Sequence, residues 1–245
     1  MGHRLYISGA GAIHLCEMDP SSGDITVAQA NVGSGAFIAP SADGRFLYAL
    51  EGEGATAYSI AADGTLLRLS TAKAELSGFA HISTTGTAED GNAVCLLAAY
   101  GGGGVSILNI YRDGSLADSA PGSSFAHGPA GSLVDPLRQA KSCAHSGFVD
   151  PTGSRVLISD LGTDQVVAYA IDGTAGSLAC CAVFDSAPGA GERAAPSLDH
   201  PNPLQCGPAG CHCCTCLLAV PQGHGTSAFT RVGSGSTRST SSTAL

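Results

Sequence analysis

Short runs rich in Val, Ile, Leu and Tyr alternate along most of the chain with turns built from Asp, Gly, Pro and Ser. The stretch Ala144–Leu178 shows this clearly, since runs at Arg155–Ser159 and Gln165–Ile171 follow a turn at Asp150–Gly153. Such runs, bounded by Asp-Gly and Pro-x-Gly, predict antiparallel strands joined by tight turns. No sustained helical period is present, which excludes solenoids of helix pairs. The pattern therefore predicts an all-β fold with polar residues at the strand ends.

Two turn phrases recur at long intervals. The first closes on glycines at positions 23, 64, 114 and 176, which are 41, 50 and 62 residues apart. The second, Pro40–Tyr48, returns as Asp150–Ile158. Repeats of about 40–50 residues with four short strands each are typical of β-propeller blades. We therefore expect a partial β-propeller of about four four-stranded antiparallel blades, at residues 4–29, 36–71, 79–119 and 145–184.

Two segments depart from the repeat. Asp118–Cys143 is rich in Gly, Pro and Ser and lengthens the third interval. Because this strandless loop leads directly to His145, we expect it to be functional rather than disordered. Residues 189–245 lose the strand alternation, and Gly233–Leu245 consists almost entirely of Ser, Thr and Gly. We expect blades over residues 1–188 and a disordered tail over 189–245.

Charge and hydropathy exclude several classes of partner. The formal net charge of −9 offers no basic footprint for nucleic acid or an anionic membrane. No apolar run is long enough to span a bilayer. The first residues enter a strand-like run at once and do not read as a secretory signal, so a cytoplasmic location is expected.

The ten cysteines fall into two groups. Five are scattered through the predicted blades and are interpreted as small buried residues: Cys16, Cys95, Cys143, Cys180 and Cys181. The other five crowd together at Cys206, Cys211, Cys213, Cys214 and Cys216. Their spacing does not match the paired arrangement of structural zinc sites, so we favour incidental low complexity over metal binding.

Several phrases together resemble a known family. They are Pro40–Glu51, Gly78–Ser83, Ala99–Gly102, Arg138-Gln139, His145-Ser146, Asp160–Asp164 and Pro188–Arg193. Over about residues 4–193 the chain is similar to the lactonase family of seven-bladed β-propellers, which includes bacterial-type 6-phosphogluconolactonases and fungal carboxy-muconate cyclases. Relatives read His-x-His-Ser where this chain has Cys143 to Ser146, and Pro and His where it has Glu192 and Ala194. The pattern then stops, and we interpret this as truncation after about four blades by a shifted reading frame or a retained intron.

The resemblance implies hydrolysis of a sugar lactone, most simply 6-phospho-glucono-1,5-lactone to 6-phosphogluconate in the pentose phosphate pathway, without a cofactor or metal. It implies catalytic roles for His145, as a base that titrates near neutral pH, and Arg193, as a carboxylate or phosphate ligand. The predicted substrate-binding residues are Glu51, His81, Tyr100, Arg138, Asp160 and Asp164, and Lys141 is a further candidate for phosphate contact.

Other interpretations stay open at this point. Asp160 and Asp164 also fit as caps of a tight turn, and Tyr100 as a packed ring. The glycines Gly101–Gly104 indicate a hairpin turn rather than a phosphate-binding loop, because no Lys-Ser/Thr follows them. Carboxy-muconate lactone cyclisation is the alternative activity, and a non-catalytic propeller is the alternative class. An open ring would expose blade edges, through which we expect self-association.

Overall fold

The computed structural model describes residues 3–128 and 131–189, together with the backbone of residues 216–220. These residues form sixteen β-strands in four four-stranded antiparallel sheets. A 3-10 turn at Ala88–Asp90 is the one helical element among them, and no helix in these ranges is long and apolar enough to cross a membrane. The predicted all-β fold of about four blades is confirmed.

Each sheet corresponds to one predicted blade. Sheet 1 contains β1 (His3–Gly9), β2 (Ala12–Met18), β3 (Ile25–Ser34) and β16 (Cys216–Val220). Sheet 2 contains β4 (Ile38–Pro40), β5 (Phe46–Glu51), β6 (Gly54–Ile60) and β7 (Leu66–Lys73). Sheet 3 contains β8 (Phe79–Thr84), β9 (Val94–Ala99), β10 (Gly104–Asn109) and β11 (Ser124–Ala126). Sheet 4 contains β12 (Ala144–Val149), β13 (Arg155–Asp160), β14 (Gln165–Asp172) and β15 (Ser177–Asp185).

Two strands lie where none was expected. β11 falls inside the segment Asp118–Cys143, for which the sequence predicts no strand, and it pairs with β10. Its three residues are too few to show an alternation in the sequence. β16 lies within the expected disordered tail, and its backbone pairs with β1 from Arg4↔Val220 to Ser8↔Cys216. The rest of the expected tail lies outside the described residues.

Consecutive sheets pack face to face. β9 shows why, because its side chains are buried on both sides. Val94, Leu96 and Ala98 belong to the apolar cluster shared with sheet 4. Cys95 and Leu97 belong to the cluster shared with sheet 2. A strand that alternates in this way must have a neighbouring sheet on each side, which is the arrangement of blades around an axis.

The first strands of sheets 2, 3 and 4 lie side by side, because β8 contacts both β4 and β12. They therefore line the inner side of the arc, and we call the space beside them the channel. The turns after β1, β5, β9 and β13 and the connections between sheets lie at one end of the strands, which we call the upper face. The remaining turns lie at the opposite, lower face.

The cysteines of the blades differ in environment. Cys16, Cys95 and Cys143 are buried free thiols, as predicted. Cys180 and Cys181 are free but exposed, so the prediction was wrong for this pair. The reason is topological, since both lie on β15, which is the outermost strand of sheet 4 among the described residues.

Candidate functional site

His145 lies at an irregularity in an inner strand. Ala144 is opposite Asp160 and Ser146 is opposite Ser159, so His145 is an extra residue between two consecutive pairs of the ladder. Such a β-bulge bends the strand and re-aims the side chain of the extra residue. His145 is half-buried, and its ring meets the ring of Tyr100 edge-on, with centroids 5.9 Å apart and an interplanar angle of 87°. The structure therefore brings two predicted site residues together.

The turn that carries Tyr100 is held on several sides. It connects β9 to β10 at the upper face, as predicted for the glycine-rich stretch. The backbone N–H of Gly101 donates to the carbonyl of Gly78 at 3.0 Å, and the ammonium of Lys141 donates to the carbonyl of Gly101 at 2.5 Å. A side chain on Gly78, where φ is +67°, would approach the Cα of Gly101 to 2.9 Å. The turn is therefore fixed to the residue before β8 and, through Lys141, to the segment that leads to β12.

His81 lies in a second group of rings on the inner strands. Its ring is 4.3 Å from that of Phe37 and 5.2 Å from that of Phe148, measured between centroids. Its Nδ1 accepts a long hydrogen bond, 3.4 Å, from the backbone N–H of Gly147. β8 also carries a bulge, but the extra residue there is Ala80. His81 is thus equivalent to Ser146, not to His145, and contributes to an aromatic wall of the channel.

The carboxylate of Asp160 is fully buried and accepts hydrogen bonds on both oxygens. Oδ1 accepts from three backbone N–H groups, those of Cys143 at 2.8 Å, Gly162 at 2.9 Å and Thr163 at 3.1 Å. Oδ2 accepts from His127 Nδ1 at 2.6 Å and from the hydroxyl of Ser142. Burial alone would raise the pKa of Asp160, but the hydrogen bonds outweigh it and hold the pKa below its usual value. The carboxylate is therefore ionised, and its hydrogen bonds hold together the turn after β13, His127 and the start of β12.

Asp164 fastens the segment after β11 to the turn after β13. Its backbone is left-handed, with φ of +54°, a conformation that Asp tolerates better than most residues. Oδ1 accepts from Gln139 Nε2 at 2.7 Å, and Oδ2 accepts from the hydroxyl of Ser132 at 2.5 Å and the backbone N–H of Gly189 at 3.1 Å. The side chain is almost completely buried. The turn-capping interpretation describes both aspartates better than the predicted substrate contact.

Glu51 is the residue of sheet 2 that is equivalent to Asp160 in sheet 4. It lies at the end of β5 on the upper face. Ser34 and Thr56 each donate a hydroxyl to it at 2.5 Å, and the guanidinium of Arg68 lies 3.6 Å away. Burial would raise the pKa of Glu51, but these hydrogen bonds and the Arg68 charge lower it. The carboxylate thus ties sheet 1 to sheet 2 while keeping part of its surface open.

Two of the predicted cationic residues lie closer to the protein surface than the carboxylates of Asp160 and Asp164. Arg138 and Lys141 are both exposed on the segment between β11 and β12. Lys141 borders an open cleft of about 400 Å³ that is also lined by Gly102, Gly103 and His127. Arg193 lies outside the described residues, as do four of the five clustered cysteines, and only the backbone of Cys216 is described.

His127 is the residue of this region that the sequence did not reveal. Its side chain is 1% exposed, and its ring stacks on that of Tyr169 at 5.9 Å and 21°. Its Nδ1 meets Asp160, its backbone N–H donates to Gly103 at 3.2 Å, and its buried Nε2 has no hydrogen-bond partner within the described part of the chain. The sequence pattern did not identify His127, because its partner Asp160 is distant along the chain and no local motif surrounds it.

Comparison with known proteins defines the fold family. Residues 4–196 match the family model described as "Lactonase, 7-bladed beta-propeller". A protein of Arthroderma benhamiae named "Probable 6-phosphogluconolactonase" is 29% identical over 171 residues, which is 67% of this chain and 41% of that protein.

Solved structures show the same architecture. The periplasmic gluconolactonase of Pseudomonas aeruginosa superposes with a TM-score of 0.65 at 22% identity, over 81% of this chain and 60% of that one. A protein of Lactobacillus plantarum gives a TM-score of 0.63 at 22% identity, over 78% and 55%. The chain therefore spans less than two thirds of the length of these relatives.

Proposed function

Because the chain belongs to the lactonase family of seven-bladed β-propellers, we propose that it acts as a lactone hydrolase. The proposed substrate is 6-phospho-glucono-1,5-lactone and the product is 6-phosphogluconate, in the cytoplasmic pentose phosphate pathway. The name of the Arthroderma benhamiae relative supports this substrate. No cofactor is required, because ring opening by water needs only acid–base and electrostatic help.

The observation that carries the proposal is the placement of His145. A bulge sets it apart from the regular ladder of an inner strand, where it is half-buried against Tyr100. Loops and irregularities on a rigid scaffold are where chemistry is usually located. A half-buried imidazole beside a phenol, at the mouth of a channel, is well suited to general base catalysis on a small substrate.

The reaction follows from these groups. His145 accepts a proton from water as the water oxygen attacks the lactone carbonyl carbon. The carbonyl oxygen becomes an oxyanion, which a hydrogen-bond donor must stabilise, and the hydroxyl of Tyr100 is the proposed donor. When the tetrahedral intermediate collapses, the bond from the carbonyl carbon to the ring oxygen breaks. The imidazolium of His145 then returns its proton to the ring oxygen, and the product is the open-chain acid.

The substrate phosphate needs a cationic partner at the same face. Arg138 and Lys141 provide two exposed positive charges on the segment that leads to β12. Arg193, which matches the arginine in the family's Gly-Pro-Arg phrase, is the third proposed ligand for the anionic groups. Arginine binds phosphate in a two-pronged fashion, while lysine acts as a compact charge.

The test measures hydrolysis of three substrates by the purified chain, with spontaneous hydrolysis subtracted: 6-phospho-glucono-1,5-lactone, glucono-1,5-lactone and carboxy-muconate lactone. We expect the phosphorylated lactone to be preferred, and His145→Ala to lower kcat by at least ~100-fold, as loss of a general base does. His14→Ala is the matched control, because His14 lies on β2 in sheet 1. A preference for the muconate lactone would establish the alternative activity. No hydrolysis above the spontaneous rate would contradict the proposal altogether.

A further inference from the structure

The Tyr100–His145 pair joins two different sheets, and the structure has to fix both partners. Tyr100 belongs to the turn after β9 in sheet 3, whereas His145 belongs to the first strand of sheet 4. Side chains on separate blades keep a productive geometry only where other contacts fix the blades to each other. The contacts between these two elements therefore decide how precisely the pair is held.

Asp160 controls the β12 side of the pair. Its Oδ1 binds the backbone N–H of Cys143 at 2.8 Å, and its Oδ2 binds the hydroxyl of Ser142. Asp160 is also the ladder partner of Ala144, the last residue before the bulge. The chain is thus held at three consecutive positions immediately before His145. Because the residues before the bulge are fixed in this way, the direction in which the side chain of His145 projects is fixed as well.

His127 links Asp160 to the Tyr100 side. Its Nδ1 donates to Asp160 Oδ2 at 2.6 Å, while its backbone N–H donates to the carbonyl of Gly103, in the turn that carries Tyr100. One residue therefore contacts the support of both rings. Its own ring is immobilised by stacking on Tyr169 and is almost fully buried.

We propose that His127 and Asp160 are positioning residues, which hold His145 and Tyr100 in the geometry required for lactone hydrolysis. This inference rests on the proposed function. The side chains of His127 and Asp160 are 1% and 0% exposed, so both act on the site through the residues that they bind. Positioning of a general base acts on the chemical step, because a displacement of about 1 Å at the reacting group can cost about 100-fold in rate.

The kinetic test compares conservative and non-conservative variants at each position. Asp160→Asn keeps the shape but weakens the acceptor, and we expect kcat to fall at least tenfold with KM changed less than threefold. His127→Ala should have a similar effect. His127→Asn retains a donor near the position of Nδ1 and should recover at least half of the activity that His127→Ala loses. A purely packing role for His127 predicts no such recovery.

Asp150→Asn is the matched control, because Asp150 has a lowered pKa and also organises a turn through several donors in sheet 4, but at the lower face. We expect it to change melting temperature without changing kcat per folded molecule. Equal effects of Asp150→Asn and Asp160→Asn on kcat would overturn the proposal. The proposal would also be overturned if the fall in kcat caused by Asp160→Asn disappeared once activity is normalised to the folded fraction.

A second readout does not depend on turnover. The Cε1–Hε1 NMR signal of His145, assigned with His145→Gln, reports its environment beside the Tyr100 ring. We expect this signal to shift or broaden in Asp160→Asn and His127→Ala and to stay in place in Asp150→Asn and His127→Asn. An unmoved signal in all four variants would refute positioning, whether or not any lactone is hydrolysed. Conversely, a shifted signal in a chain that hydrolyses no lactone would refute only the proposed function.

Discussion

Single carboxylates account for much of the order at the upper face. Asp160 gathers five donors around one buried side chain, and its pKa is lowered although burial opposes this. Each of the donors would otherwise be a buried polar group without a partner, and such groups are costly. The residue therefore contributes to stability as well as to the proposed geometry of the site.

The stability contribution of Asp160 should disappear in acid. A carboxyl whose pKa is lower in the folded than in the unfolded chain stabilises the fold above its unfolded pKa, near 3.9. That contribution is lost as the pH falls through the folded pKa, because the folded state must then accept a proton. We expect Asp160→Asn to lower the free energy of unfolding by about 3 kcal/mol at pH 7, as breaking a buried charged network does.

The difference between wild type and Asp160→Asn should shrink steadily below pH 4, when measured by urea denaturation across the pH range. Asp113→Asn serves as the control, because Asp113 is an exposed turn residue bonded to Ser115 and should give a smaller loss. A wild-type advantage that grows below pH 4 would contradict the assigned direction of the pKa shift.

At the scale of elements, the segment between β11 and β12 is bound tightly to the turn after β13. Gly131 donates its backbone N–H to the carbonyl of Gly162 at 2.9 Å, and Gln139 donates to Asp164. A Cβ atom on Gly162 would lie 1.9 Å from the carbonyl oxygen of Lys141 and 2.7 Å from the nitrogen of Cys143. Only a residue without a side chain permits this approach.

Gly162→Ala should therefore displace the segment that leads to His145. We expect a loss of about 2 kcal/mol in unfolding free energy, within the range for overpacked sites, together with faster hydrogen exchange at residues 131–143. Gly9→Ala is the control, because a Cβ there meets nothing within 4 Å. Unchanged exchange in Gly162→Ala would show that the close approach is not required.

The elements differ in how far the sequence predicted them. The strands of sheets 2 and 4 follow from alternation and Asp-Gly turns, because both signals are local. β11 and β16 did not follow, since one is three residues long and the other pairs with a strand far away along the chain. The bulge at His145 was also missed, because a single extra residue leaves no signature in an apolar pattern. His145 itself was identified through its place directly after the long segment Asp118–Cys143 and through the family resemblance.

At the scale of the whole molecule, the outermost strand of sheet 4 is an edge strand with exposed apolar side chains. β15 ends the sheet among the described residues and exposes Val183 by 50% and Phe184 by 56%. Apolar edge strands with free backbone groups tend to pair with other chains. We propose that self-association of the chain proceeds through this strand.

Val183→Lys with Phe184→Lys should reduce self-association, measured as the concentration dependence of the sedimentation coefficient, because charge on an edge strand blocks pairing. Tyr111→Lys is the control, since Tyr111 is 56% exposed but lies outside the named strands. Equal reduction by both changes would point to a general effect of charge instead of pairing through β15.

The bulges in β8 and β12 lie at equivalent positions of two blades. Both inner strands hold one extra residue near their start, Ala80 in β8 and His145 in β12. Blades copied from a common ancestral unit would each inherit the backbone irregularity, and substitution in one copy would be enough to create a reactive group. Ala80 is therefore the equivalent position for a second imidazole. The Ala80→His variant would test whether the bulge of β8 can support catalysis when it carries a histidine.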